Sequence, residues 1–131
     1  MRIEVSQLPP ASSSPNWRGH WAERYKAARI YQAAVFYECV DVRNRLMALG
    51  EWEPFRKARL DLIFVFPNYR KRDEDNLRAR FKPGQDALVQ ADLLEGDTVD
   101  DLVLGDINIE VSPTAAPLTI IELKELEGEE K

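Results

Sequence analysis

Between residues 70 and 101 the chain reads R-K-R-D-E-D-N-L-R-A-R-F-K-P-G-Q-D-A-L-V-Q-A-D-L-L-E-G-D-T-V-D-D, and its residue types are those of phosphoryl chemistry. Asp73 and Asp75 stand two residues apart, so in extended chain their carboxylates face the same side. Magnesium wants octahedral oxygen ligands and is usually held by one or two carboxylates, with water and substrate phosphate completing the shell. A cation so held polarises a phosphoryl oxygen and lowers the pKa of bound water, giving a nucleophile at neutral pH. A third carboxylate brought back by the chain would fix the site. Asp97, behind Gly96, is the first candidate, with Asp100 and Asp101 as rivals. Lys82 is available to stabilise charge developing on the phosphate. Arg70, Lys71 and Arg72, followed by Arg78 and Arg80, could position a nucleic-acid backbone. The same run also reads as a solvated strand-to-helix turn, in which acids cap the helix, complement its dipole and pair locally with cations.

The elements that must hold these residues can be read along the chain. Residues 2–8 alternate loosely through Ile3, Val5 and Leu8 and predict a strand, ended by Pro9-Pro10. Residues 11–20 form a polar loop. From about Trp21 to Leu49 apolar residues recur near a 3.6 period, and Gly50 is a C-terminal stop. This long helix is expected to pack across a sheet, with Tyr31, Phe36 and Tyr37 in a core or an interface. Residues 56–66 end in the near-continuous apolar run of a doubly covered strand. A helix then runs from the Asp73 region towards Leu94, kinked or restarted at Pro83 because proline lacks the backbone donor. Residues 99–111 and 118–123 read as two further strands joined as a hairpin, and residues 125–131 as a frayed acidic tail. The order β-α-β-α-β-β predicts a single α+β (α/β-like) domain, residues 1–131, with one mixed sheet and two main helices.

Composition agrees with a folded domain: 44% of residues are hydrophobic and 31% charged. No apolar run approaches the ~20 residues of a membrane helix, and M-R-I-E-V-S-Q lacks the apolar core of a signal peptide. A single cysteine, Cys39, excludes an internal disulfide, and no Cys/His grouping suggests zinc. A cytoplasmic protein is expected. The net charge of −5 divides unevenly, +6 over residues 1–84 and −11 over residues 85–131. A basic face for phosphate and an acidic part that holds metal or points elsewhere would satisfy that asymmetry; sequence drift with no spatial meaning would as well.

The run R-x-x-D-E-D-N-L at 70–77, K-x-x-x-D-A-L at 82–88 and the acid-bearing loop at 95–101 resemble the RusA-type Holliday junction resolvases. L-P-P at 8–10 and S-P-N-W-R-G-H-W at 14–21 are similar to the phage and prophage members of that family. The resemblance spans most of the chain. It implies a homodimer on a four-way DNA junction and magnesium-dependent phosphodiester hydrolysis, with manganese able to stand in. It implies Asp73, Asp75 and Asp97 as metal-binding carboxylates and Lys82 as the catalytic lysine when aligned through K-x-x-x-D-A-L. Counted forward from Asp75 instead, that lysine position falls on Ala79. A member of the same fold that binds nucleic acid without cutting it is the alternative.

Other polar residues carry weaker signals. Asn16 and Arg18 in the N-terminal loop could touch phosphate. His20 reads first as a helix-start residue, Cys39 as a packed helix residue and Trp52 as packing beside Pro54.

Overall fold

The structure is a computed structural model that describes residues 1–70, 72–94 and 101–126. Among these residues four strands and three α-helices follow in the order β1 (Arg2–Val5), α1 (Trp21–Ala48), β2 (Ala58–Phe66), α2 (Glu74–Arg80), α3 (Lys82–Gln90), β3 (Leu102–Val111) and β4 (Leu118–Glu125), with a 3-10 turn at Ala11–Ser13. The architecture is α+β with one mixed sheet, as expected. No described helix is long and apolar enough to cross a membrane.

Both ends of α1 have a clear cause. His20 caps the start, its Nδ1 accepting from Ala22 N–H at 3.1 Å. At the other end Gly50 takes φ +71°, where L-residues are strained. Glu51 N–H then reaches Leu46 O and Gly50 N–H reaches Met47 O, the paired bonds of a Schellman motif. Tyr31, Val35 and Cys39, four residues apart, are the buried stripe. The Tyr31 hydroxyl donates to Thr119 Oγ1 at 3.0 Å, and the Thr119 hydroxyl donates to Gln7 O at 2.6 Å, so α1, β4 and the chain after β1 are tied by one buried relay. Of the three aromatics expected in the core or an interface, only Tyr31 is buried; Phe36 and Tyr37 face solvent.

The sheet order is β1-β4-β2-β3, with β2 and β3 parallel and β4 antiparallel to both its neighbours. The expected hairpin between the last two strands does not form. β4 buries Thr119, Ile120, Ile121 and Leu123 and takes an inner position, while β3 exposes Leu104, Asp106, Asn108 and Glu110 and suits an edge. The connection between them passes the end of β2, where Ser112 N–H donates to Phe66 O at 2.9 Å. β1 is shorter than the expected 2–8, and Lys124 and Glu125 belong to β4 rather than to a frayed tail.

One face of the sheet shares a core with all three helices. Ile3, Leu62, Phe64, Ile121 and Leu123 meet Tyr31, Val35, Leu77, Phe81 and Leu88 there. The other face carries charge, including Arg2 paired to Glu122, the usual division for a sheet solvated on one side. The second helix breaks one residue earlier than Pro83 suggested, so the described residues form three main helices rather than two. Phe81 turns inward at the break, with ring centroids 6.3 Å from both Tyr31 and Phe64. Its ring lies against Gly84, where an added Cβ would come within 2.6 Å of it. The proline then sits in the first turn of α3, where its missing N–H is harmless.

Candidate functional site

The chain leaves β2 at Phe66 and reaches α2 through a loop organised by Arg72. Its guanidinium lies 3.6 Å from the Phe66 ring centroid. Arg72 Nη1 donates to Asn68 O and Arg70 O, and Nη2 donates to Asn68 Oδ1 at 2.7 Å. A lysine has neither the planar fork nor the stacking face for this.

Asp73 is the N-cap of α2, its Oδ1 accepting from Asp75 N–H at 3.0 Å. The extended-chain premise for this pair therefore fails. Asp73 is extended, but Asp75 is already helical, so the two-residue alternation of a strand does not apply. Both carboxylates are exposed, and they line different clefts.

On the Asp73 side lies a cleft of about 470 Å³ lined by Asn16, Trp17, Arg70, Arg72, Asn76 and Arg80. Arg80 is anchored through Nη2 to Pro9 O at 2.7 Å, which ties the helix to the L-P-P loop. Burial, then the nearby Arg72, weakens the hold of Arg80 on its proton; burial, then Arg70, does the same for Arg72. None of the ion pairs among the described residues involves Arg70, Arg72, Arg78 or Arg80. Arg80 Nε and Asn76 Oδ1 are also buried without a protein hydrogen-bond partner. Like charges held together with unpaired polar atoms among them are costly alone and suited to an anion.

On the Asp75 side a second cleft, about 600 Å³, is lined by Arg24, Asp75, Arg78, Ala79, Lys82 and Leu104, among others. Arg78 spans it to β3, its Nη2 donating to Gly105 O at 3.0 Å. Lys82 Nζ lies 2.8 Å from Asp86 Oδ1, one turn further along α3. Ala79 and Lys82, the two positions on which the lysine of the resemblance can fall, thus line the same cleft. Leu104, on its far wall, stands three residues beyond Asp101, about 10 Å of extended chain.

Lys71, Asp97 and Asp100 lie outside the described residues. Asp101 lies within them in the turn just before β3, where its carbonyl accepts from Ala58 N–H at 2.9 Å. Among the described residues no three of His, Cys, Asp and Glu come together as a metal-holding group. Asp73 and Asp75 are the hard oxygen donors that suit magnesium, which needs only one or two protein carboxylates. The sequence reading placed Asn16, Arg70, Arg72 and Arg80 as backbone contacts, and they do share a cleft. It gave Trp17 no role; the signal was an aromatic inside the N-terminal loop, two residues before Gly19. No protein-family model matches this chain, and no curated protein matches it either.

Proposed function

We propose that the chain is a divalent-metal-dependent endonuclease acting on branched DNA, with Asp73 and Asp75 as metal-binding carboxylates. The observation that carries this reading is the cleft shared by Asp75, Lys82 and Leu104, which joins a carboxylate and an amine to the strand that follows the acidic sequence 95–101. The resemblance to RusA-type resolvases supports the same assignment and adds Asp97 as the third carboxylate, a homodimeric state and the four-way junction as substrate. Magnesium, once bound, supplies Lewis acidity at the phosphoryl oxygen and a hydroxide-like water. The protein's own part is to hold the strand. Arg70, Arg72 and Arg80 bind its backbone on one side of α2, and Lys82 neutralises charge on the scissile phosphate on the other.

The test is cleavage of a synthetic four-way junction with magnesium or manganese. Wild type should cut, and Asp75→Asn should bind the junction with unchanged thermal stability yet cut at least about 100-fold more slowly, the weight of several kcal/mol of lost transition-state stabilisation. Folded wild-type protein that binds junctions but never cuts with either metal would remove the catalytic assignment. The second reading, a nucleic-acid binder without turnover, draws on the capping bond of Asp73, which gives that carboxylate a structural task of its own. It requires salt-sensitive junction binding, since displaced counterions drive phosphate contacts.

A further inference from the structure

The arginine-lined cleft contains an aromatic that phosphoryl transfer does not use. Trp17 shares the wall with Asn16, Arg70, Arg72 and Arg80. Its ring is held in place from one side: an added Cβ at Gly19 would lie 2.1 Å from its ring carbons, so the indole rests on bare backbone that only glycine provides. The turn presenting it is also closed, with Trp17 N–H donating to Ser14 O at 3.1 Å and Asn16 N–H to Ser14 Oγ at 3.2 Å. None of the ring–ring contacts among the described residues uses Trp17, although Trp21 stacks with His20 and Trp52 meets Phe55. A fixed, half-buried indole beside three arginines that have no ion pair among the described residues combines the two parts of a single-strand site: a stacking platform and a cationic track.

We propose that this cleft takes one unpaired nucleotide of a DNA strand, its base on the Trp17 ring and its phosphate on Arg70, Arg72 and Arg80. The volume, about 470 Å³, falls in the range of small-ligand pockets and suits one nucleotide rather than a duplex. A paired base has both faces covered by its neighbours in the stack, so only an unpaired one can lie on the indole. The site would thus select strands opened at a branch. This rests on the reading that the partner is DNA, but not on metal or cleavage.

The experiment measures binding of a short oligothymidylate and of a duplex of equal length by fluorescence anisotropy in EDTA. Wild type should bind the oligothymidylate at least about fivefold more tightly than Trp17→Leu does, the loss of one stacked base, while the two bind duplex alike. Trp17→Phe should restore most of the difference. Gly19→Ala, whose methyl displaces the ring, should lose it again with the same thermal unfolding as wild type. Equal oligothymidylate affinity in wild type and Trp17→Leu, or an equal loss on duplex, would overturn the proposal. Thymidine monophosphate competing at the oligonucleotide's own affinity would overturn the strand as the source. If the nuclease reading failed, these affinities would stand unchanged; if junction cleavage persisted in Trp17→Leu with unaltered strand binding, only the nucleotide cleft would fall.

Discussion

Two substitutions of Asp73 separate the two tasks assigned to it. Its Oδ1 caps α2 through Asp75 N–H at 3.0 Å, and its charge is assigned to a metal. Asparagine caps a helix about as well as aspartate. Asp73→Asn therefore keeps the hydrogen bond and loses only the charge that complements the helix N-terminus, about 0.3–1 kcal/mol. Asp73→Ala loses the cap as well, a further ~0.5–2 kcal/mol. In a chain of 131 residues each kcal/mol moves the melting temperature by roughly 3–5 °C. Alanine should thus lower it by roughly 2–15 °C, and asparagine by less than about 5 °C. On a four-way junction with magnesium both variants should lose at least about 100-fold in cleavage rate, because neither supplies a carboxylate. The paired readout is thermal unfolding and single-turnover cleavage on the same preparations. Wild-type cleavage by Asp73→Asn would reduce Asp73 to a helix cap. Asp73→Asn melting as low as Asp73→Ala would refute the capping argument.

Two further predictions concern stability. Burial pushes the Cys39 thiol from its ordinary value near 9 up to about 12; because the folded-state value is raised, its contribution is complete below pH 9 and is lost as pH rises from 9 towards 12, by about 1.4 kcal/mol per unit. Urea unfolding should therefore show a loss of about 1 kcal/mol between pH 8 and 10 that Cys39→Ala removes, and a slope unchanged in that variant would place the effect elsewhere. Asp92, at φ +60°, ends α3 in the left-handed region, with Asp92 N–H on Val89 O and Leu93 N–H on Leu88 O. Asp92→Gly should stabilise the fold by about 0.5–1 kcal/mol in the same assay, since glycine adopts that conformation freely; a destabilised variant would count against backbone strain there.

Local signals were legible in the sequence, and relations between distant elements were not. The limits of α1 could be read because His20 and Gly50 act on their own neighbours. The turn at Asp73 could be read because capping residues follow an apolar run. The hairpin was wrong because adjacency in sequence favours pairing of β3 with β4, whereas the burial of Ile120, Ile121 and Leu123 draws β4 to the inside of the sheet. The kink was placed on Pro83 by its chemistry, but its position is decided by Phe81 entering the core against Gly84, a tertiary contact. At the site, Asn16, Arg70, Arg72 and Arg80, read from sequence as backbone contacts, line one cleft. The division of the site into two clefts depends on where the first helical turn begins, with Asp73 at the cap lining one cleft and Asp75 in the first turn lining the other.

The position of β4 also sets the order in which this protein can be completed during synthesis. β1 has one neighbour in the sheet, and its register runs from Arg2 against Glu122 to Val5 against Thr119. A chain leaving the ribosome from its N-terminus therefore holds β1 and the facing edge of β2 without a partner until residues 118–125 have emerged. Helix α1 can form early, but its buried face meets Ile3 and Val5, which have nothing to lie beside until then. Long-range pairing of this kind slows folding and leaves strand edges open meanwhile. Ribosome-bound chains stalled before residue 118 should stay protease-sensitive at residues 2–8, while the β2–α2–α3–β3 segment already has its parallel β2–β3 ladder to hand.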